Sequence, residues 1–191
     1  VEVIRALLRG EEVTHDGHVR VDRARVWSLP PEPPLLFGAA VSAQTAGVVG
    51  RWADGLITVN QPIDVLRKVV ETFRGEAGDD KPIVVQVHLS YDEDEATARR
   101  IAHDQWRSNV FGAELCWNLE LPSQFDAAAE HVAEEDVLDT VIVSSDPGRH
   151  VERLREIADL GVDRLMLHHV GQQDDRFIEV FGREVLPAVR G

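Results

Sequence analysis

Cysteine is all but missing from this chain. Cys116 stands alone among 191 residues, which excludes an internal disulfide and any zinc site built on cysteine pairs. That usage suits a reducing compartment, so the expected location is the cytoplasm. Long apolar runs are missing too. No uninterrupted stretch approaches the roughly 20 apolar residues that a membrane-spanning helix needs, and no basic segment leads into an apolar one as an export signal would. Positive charge is scarce: 20 Lys and Arg face 34 Asp and Glu, a formal net charge of −14. Nucleic acid and anionic membranes are bound by neutralising phosphate with cations, so neither is expected as a partner. An initiator methionine and an N-cap are also lacking. Val1 to Gly10 enters a helical pattern at once, and the expectation is that a preceding segment has been removed.

What is present reads as alternating strands and helices. After the first helix, Val13 to Val21 alternates around Asp16-Gly17, a dipeptide suited to the positive φ angles of a two-residue hairpin turn. Pro30, Pro31, Pro33 and Pro34 form a stiff, extended connection. Leu35 to Ala40 is continuously apolar, as a strand buried on both faces would be. Ser42 caps a helix running to about Trp52. A strand at Leu56 to Val59 leads to Pro62, which opens a helix with Ile63, Leu66, Val69, Val70 and Phe73 at helical spacing. Ile83 to Leu89 is a third strand. Residues 92–140 read as a mostly helical insertion whose acidic opening, Asp92 to Glu95, suits a helix N-terminus. No glycine makes the sharp turn of a calcium loop there. Asp146 and Pro147 start a helix ending at Gly161, Arg164 to His169 is the last strand, and an amphipathic helix closes the chain. Four strands alternating with helices imply a parallel α/β sheet with right-handed crossovers.

Ligands of such sheets bind at the carboxyl ends of the strands. Gly38 to Ala43 passes from strand to helix through small side chains, so backbone N–H groups at a helix N-terminus can approach an anion, with Ser42 or Thr45 adding a hydroxyl. An ordinary turn capped by Ser42 has the same signature. His168 and His169 are strand neighbours and point to opposite faces, so they cannot share one metal, and no metal site is expected. His88 lies near a strand end, but alternation alone leaves its face open. Trp52, Trp106 and Trp117 read equally as core or as ring contacts for a flavin. No catalytic triad, paired carboxylates or phosphate loop stands out.

A resemblance joins these pieces. Ala53-Asp54-Gly55-Leu56-Ile57, Lys81-Pro82 through Ser90-Tyr91-Asp92, Ser144 to Pro147, Leu160 to Asp163, His168 to Gly171 and Phe177 to Pro187 occur in this order and spacing. Together they resemble the C-terminal half of F420-dependent glucose-6-phosphate dehydrogenases, within the luciferase-like flavin and deazaflavin oxidoreductase superfamily. The resemblance implies the C-terminal half of a (β/α)₈ TIM barrel, with the whole chain, residues 1–191, as one partial domain and 92–140 as its helical insertion. It implies FMN or coenzyme F420 as cofactor, and hydride transfer to or from a small organic substrate or an FMN-dependent monooxygenase reaction. The cofactor phosphate falls on Ala40, Val41, Ser42 and Thr45, and the substrate side on Asn60, His88 and His168. Relatives often carry two glycines where this chain has Val41 and Ser42. The positions at which the sugar-phosphate dehydrogenases hold their substrate phosphate with cations fall on Pro62, Cys116 and Thr140, none of them cationic. Glucose 6-phosphate is therefore not the expected substrate. No residue of the chain takes a catalytic role, because the family's acid/base groups lie in the other half. An open half-barrel exposes strand edges, so a homodimer is expected. The alternative is a non-catalytic half-barrel remnant acting as a binding or scaffold module.

Overall fold

The computed structural model describes residues 1–190 of the chain. It opens with helix α1 (Glu2–Leu8) and a hairpin of β1 (Val13–Asp16) and β2 (Arg20–Ala24). Asp16 pairs with Arg20, so the turn is the three residues 17–19 and not the two-residue Asp16-Gly17 turn that the dipeptide suggests. The register slips once between Val13 and His15. Arg23 absorbs the extra residue with a φ of 44°, and its N–H donates to Thr14 Oγ1.

Beyond the prolines the chain builds one parallel sheet. β3 (Phe37–Ala39), β4 (Gly55–Val59) and β5 (Ile83–Ser90) lie side by side in that order. The short β6 (Ile142–Val143) and β7 (Arg164–His169) both pair with β5. β4 pairs with Ile83 to Gln86 and β6 takes over at Leu89 and Ser90, while β7 runs along Val84 to Leu89. The sequence pattern did not reveal β6, because two residues are too few to show a period.

Side-chain alternation sorts the sheet into two unlike faces. Leu56, Ile83, Val85, Val87 and Leu89 are fully buried against α2 (Ala43–Gly50), α3 (Ile63–Ala77), α8 (Pro147–Ala158) and the C-terminal helix. That C-terminal helix is α9 (Asp174–Val180), a π-helical turn at Phe181–Val185 and α10 (Leu186–Arg190). Leu66, Val69 and Phe73 of α3 and Leu154 and Ile157 of α8 complete this core. Each fully buried Leu, Phe or Ile contributes about 1.5–3 kcal/mol. The opposite face is largely bare. Ile57 is 42% and Met166 55% exposed there, and Leu35, read from sequence as buried, is 64% exposed. An apolar run shows that a strand is meant for the interior, but not whether the cover belongs to the same chain.

Two aspartates fasten the amino ends of the strands by one device. Asp54, just before β4, accepts the Leu36 N–H (2.8 Å) and pairs with Arg5 of α1 (2.7 Å). Asp163, just before β7, accepts the Ile83 N–H (2.7 Å) and the Arg74 guanidinium (3.1 Å). Gly55 follows Asp54 because a Cβ there would lie 2.4 Å from the Phe37 ring.

Between β5 and β6 come α4 (Glu95–Trp106), a 3-10 turn at Arg107–Asn109, α5 (Ala113–Asn118), α6 (Pro122–Ala129) and α7 (Glu134–Val137). Asp94 caps α4 by accepting from Thr97 N (2.9 Å). A second small core of Ala102, Val137, Val141 and Val170 holds this helical segment over the ends of β5 and β7. Among the described residues no helix is long and apolar enough to cross a membrane.

Candidate functional site

The residues assigned from sequence to the cofactor and substrate sides lie at or near the carboxyl ends of the strands, but they do different things. Ser42 is the N-cap of α2, with Oγ accepting from Thr45 N (3.3 Å) and donating to Thr45 Oγ1 (3.0 Å). Ala40 is buried, and its N–H is spent on the Ile57 carbonyl (3.1 Å), so it shapes the turn and offers no donor. Val41, Ser42 and Thr45 are exposed. The first N–H groups of α2 have no carbonyl of their own helix to reach, and they open beside two hydroxyls at the end of β3.

Asn60 behaves as a clamp. It follows β4, where the ladder to β5 ends, and it is 8% exposed. Its Oδ1 accepts the His88 N–H (2.8 Å), and its Nδ2 donates to the Thr140 carbonyl (3.0 Å). The side chain thus fills the gap between β4 and β6 on one edge of β5, with both polar atoms committed.

His88 and His168 do meet. They are paired across β5 and β7 in register, and their rings stand 5.4 Å apart near a right angle on the open face. Trp106, from the end of α4, covers both, with its ring 4.4 Å from His88 and 5.5 Å from His168. Gln86, two residues before His88 on the same face, donates from Nε2 to His168 Nδ1 (3.3 Å). Burial pushes the His88 imidazole down to about 4, with His168 contributing, so His88 is a neutral ring at physiological pH. The result is a polar, aromatic-walled patch of two imidazoles and one carboxamide. Sequence reasoning passed over Gln86, although alternation from His88 would have found it. Trp106 was not assignable, because its place depends on how the helical segment folds back. Of the other tryptophans, Trp52 packs against the main core and Trp117 is 87% exposed.

His169 points to the helix face, as strand alternation requires of a neighbour of His168. It is buried, its Nε2–H donates to the Tyr91 carbonyl (3.2 Å), Nδ1 lies 3.3 Å from Asp174 Oδ1, and it stacks on Phe177. Among the described residues no group of three or more His, Cys, Asp or Glu is placed to hold a metal.

β3 and β5 are two strand spacings apart, with β4 between them. A helix start with unpaired N–H groups and a polar, aromatic patch share one end of a parallel sheet. This is the arrangement of α/β proteins that bind their ligands across strand ends. Within that class the chain belongs to the luciferase-like monooxygenase family, whose profile matches residues 1–164. It is 31% identical over 201 aligned positions to an F420-dependent glucose-6-phosphate dehydrogenase of Nakamurella multipartita, with all of this chain matched to 58% of that protein. Among solved structures, an F420-dependent secondary alcohol dehydrogenase in complex with an F420–acetone adduct superposes with a TM-score of 0.86 at 22% identity. That match covers the whole chain and 60% of the other protein. A riboflavin lyase with modified FMN and riboflavin superposes at 0.60 and 19% identity, over 93% of this chain and 48% of that one. These structural likenesses establish the α/β fold with its parallel sheet. The chain spans about three-fifths of the dehydrogenases that it matches.

Proposed function

We propose that this chain is the C-terminal half of a (β/α)₈ barrel, and that the complete barrel is a flavin- or deazaflavin-dependent oxidoreductase. The observation that carries the reading is the bare sheet face, whose strand ends present the α2 N-terminus at one side and the His88, His168 and Trp106 patch at the other. The first half of the barrel would cover that face and bring the acid/base groups. The helical segment 92–140 is read as an insertion above the strand ends, and the open edges of β3 and β7 favour pairing in a homodimer until they are joined.

The cofactor's phosphate end fits what the chain offers. The first N–H groups of α2 and the hydroxyls of Ser42 and Thr45 are exposed and uncrowded by large side chains, and glycine is not required for this, since Val41 is 60% exposed. Ala40 sets the turn. When bound, F420 or FMN supplies the redox chemistry, accepting or delivering hydride, or in the FMN case reacting with oxygen. This chain's residues orient and shield: His88 and His168 line the substrate side, Trp106 excludes water, and Asn60 holds the His88 backbone in place. The substrate is a small organic molecule other than glucose 6-phosphate. Pro62, Cys116 and Thr140 bring no charge to its phosphate, and Thr140 is occupied locally, its Oγ1 donating to the Val137 carbonyl. Titration of the complete protein with FMN and F420, followed by fluorescence, tests the proposal. Saturable quenching by one of them, weakened about tenfold by Ser42→Ala with Thr45→Ala, is expected. A folded protein that quenches neither cofactor would refute it and leave a non-catalytic binding module.

A further inference from the structure

The strongest feature unused by that reading is a cavity of about 400 Å³ beyond the end of β4. It is walled on one side by α8, which packs on the helix-covered face of the sheet, and neither His88 nor His168 contributes to it. The charged residues of its wall are three arginines, Arg99, Arg149 and Arg153, against one acid, Asp139. In a chain of net charge −14 with only 20 Lys and Arg, this concentration of guanidinium groups is unusual.

Their own partners leave most of the donors free. Each arginine's nearest carboxylate sits on the same helix: Glu95 for Arg99 at 3.6 Å, Glu152 for Arg149 at 3.9 Å, and Glu156 for Arg153. Among the described residues, the side chains of Arg99 and Arg149 form no hydrogen bond within the chain, although a guanidinium carries five N–H donors. Arg149 also occupies the first turn of α8, where the N-cap Asp146 is already committed to the Gly148 N–H (2.8 Å). A fourth polar side chain borders the same space. Gln61, in the loop that leads from Asn60 into α3, lines the cavity, and its Nε2 is buried without a hydrogen-bond partner.

We propose that this cavity is a binding site for a compact dianion, a phosphate or dicarboxylate group, held by Arg99, Arg149, Arg153 and the Gln61 amide. Guanidinium groups suit both because they meet two oxygens of one anion in parallel hydrogen bonds. The site is separate from the α2 N-terminus assigned above to the cofactor phosphate. Nitrogen-15 NMR of the complete protein separates the two. Inorganic phosphate and malonate are titrated in turn at constant ionic strength, against chloride. The side-chain NH₂ signals of Gln61 and the Nε–H signals of Arg149 and Arg153 should shift together and saturate, with phosphate or malonate identifying the source it prefers. The pair Arg149→Gln and Arg153→Gln should weaken binding at least tenfold, as read at Gln61, and leave any shifts at Ser42 and Thr45 unchanged. Arg99→Gln gives the same test through another helix should α8 fail to form. Arg183→Gln, on the C-terminal helix, should change nothing. Shifts that chloride reproduces, that never saturate, or that survive the arginine substitutions would overturn the proposal.

Discussion

Replacing Asn60 by alanine tests whether its side chain is a fastening or a ligand contact. The substitution removes two hydrogen bonds at once, the one that Oδ1 accepts from the His88 N–H at 2.8 Å and the one that Nδ2 donates to the Thr140 carbonyl at 3.0 Å. Asn60 is 8% exposed and the His88 bond is buried, so water cannot simply replace the lost partner. A buried donor left unsatisfied costs about 1–3 kcal/mol, and the Thr140 carbonyl, which loses its donor, adds about 1 kcal/mol more. The expected loss is therefore about 2–4 kcal/mol. For a chain of this length that lowers Tm by roughly 5–12 °C. Calorimetry or urea unfolding measures it, and hydrogen exchange at the His88 amide should accelerate by a matching factor of about 30 or more. An Asn60→Ala protein with unchanged stability but impaired ligand binding would refute the clamp and restore Asn60 to the substrate side.

Two further outcomes follow from the same geometry. His88 has a folded-state value of about 4 against an ordinary 6.5, so the unfolded chain takes up its proton first as pH falls. Stability from this group is complete above about pH 6.5 and declines towards pH 4, by at most about 3.5 kcal/mol at about 1.4 kcal/mol per unit. His150, buried and likewise pushed down by desolvation, adds in the same direction. Urea unfolding from pH 7.5 to 4.5 should show the decline, His88→Phe should remove a large share of it, and an unaltered slope in that variant would contradict the assignment. Asp163→Ala should cost about 1–2 kcal/mol, because the Ile83 N–H at the start of β5 loses its acceptor. Asp163→Asn keeps an acceptor and should cost less, and equal losses in the two variants would show that the charge pair with Arg74 matters more than the strand fastening.

Much of the fold was legible because its signals are local. Pro62 before α3, Asp146 and Pro147 at the start of α8 and Ser42 at the start of α2 announce helix ends by side-chain chemistry that needs no tertiary context. The opposed faces of His168 and His169 follow from strand alternation alone. What was not legible depends on distant parts of the chain. Asn60 reads as a polar residue at a strand end, and only the arrival of β6 from 80 positions away turns it into a clamp. Trp106 reads as one more aromatic on a helix until that helix lies over the end of β5. The hairpin turn was misplaced because Asp16 pairs with Arg20 as the last residue of β1, which leaves residues 17–19 to make the turn. Leu35 was read as interior and is 64% exposed, and Ile57 of β4 is 42% exposed because nothing in this chain covers its face of the sheet.

The measurement that bears most directly on the account is amide hydrogen exchange of the complete protein with and without its tighter-binding cofactor, F420 or FMN. The account predicts slowed exchange at Ser42 to Thr45, where the helix N–H groups receive the phosphate, and at His88 to Ser90 on the open side of the sheet, with α8 and the β1–β2 hairpin unchanged. Protection confined to α8 or the hairpin, with residues 42–45 exchanging as before, would contradict it.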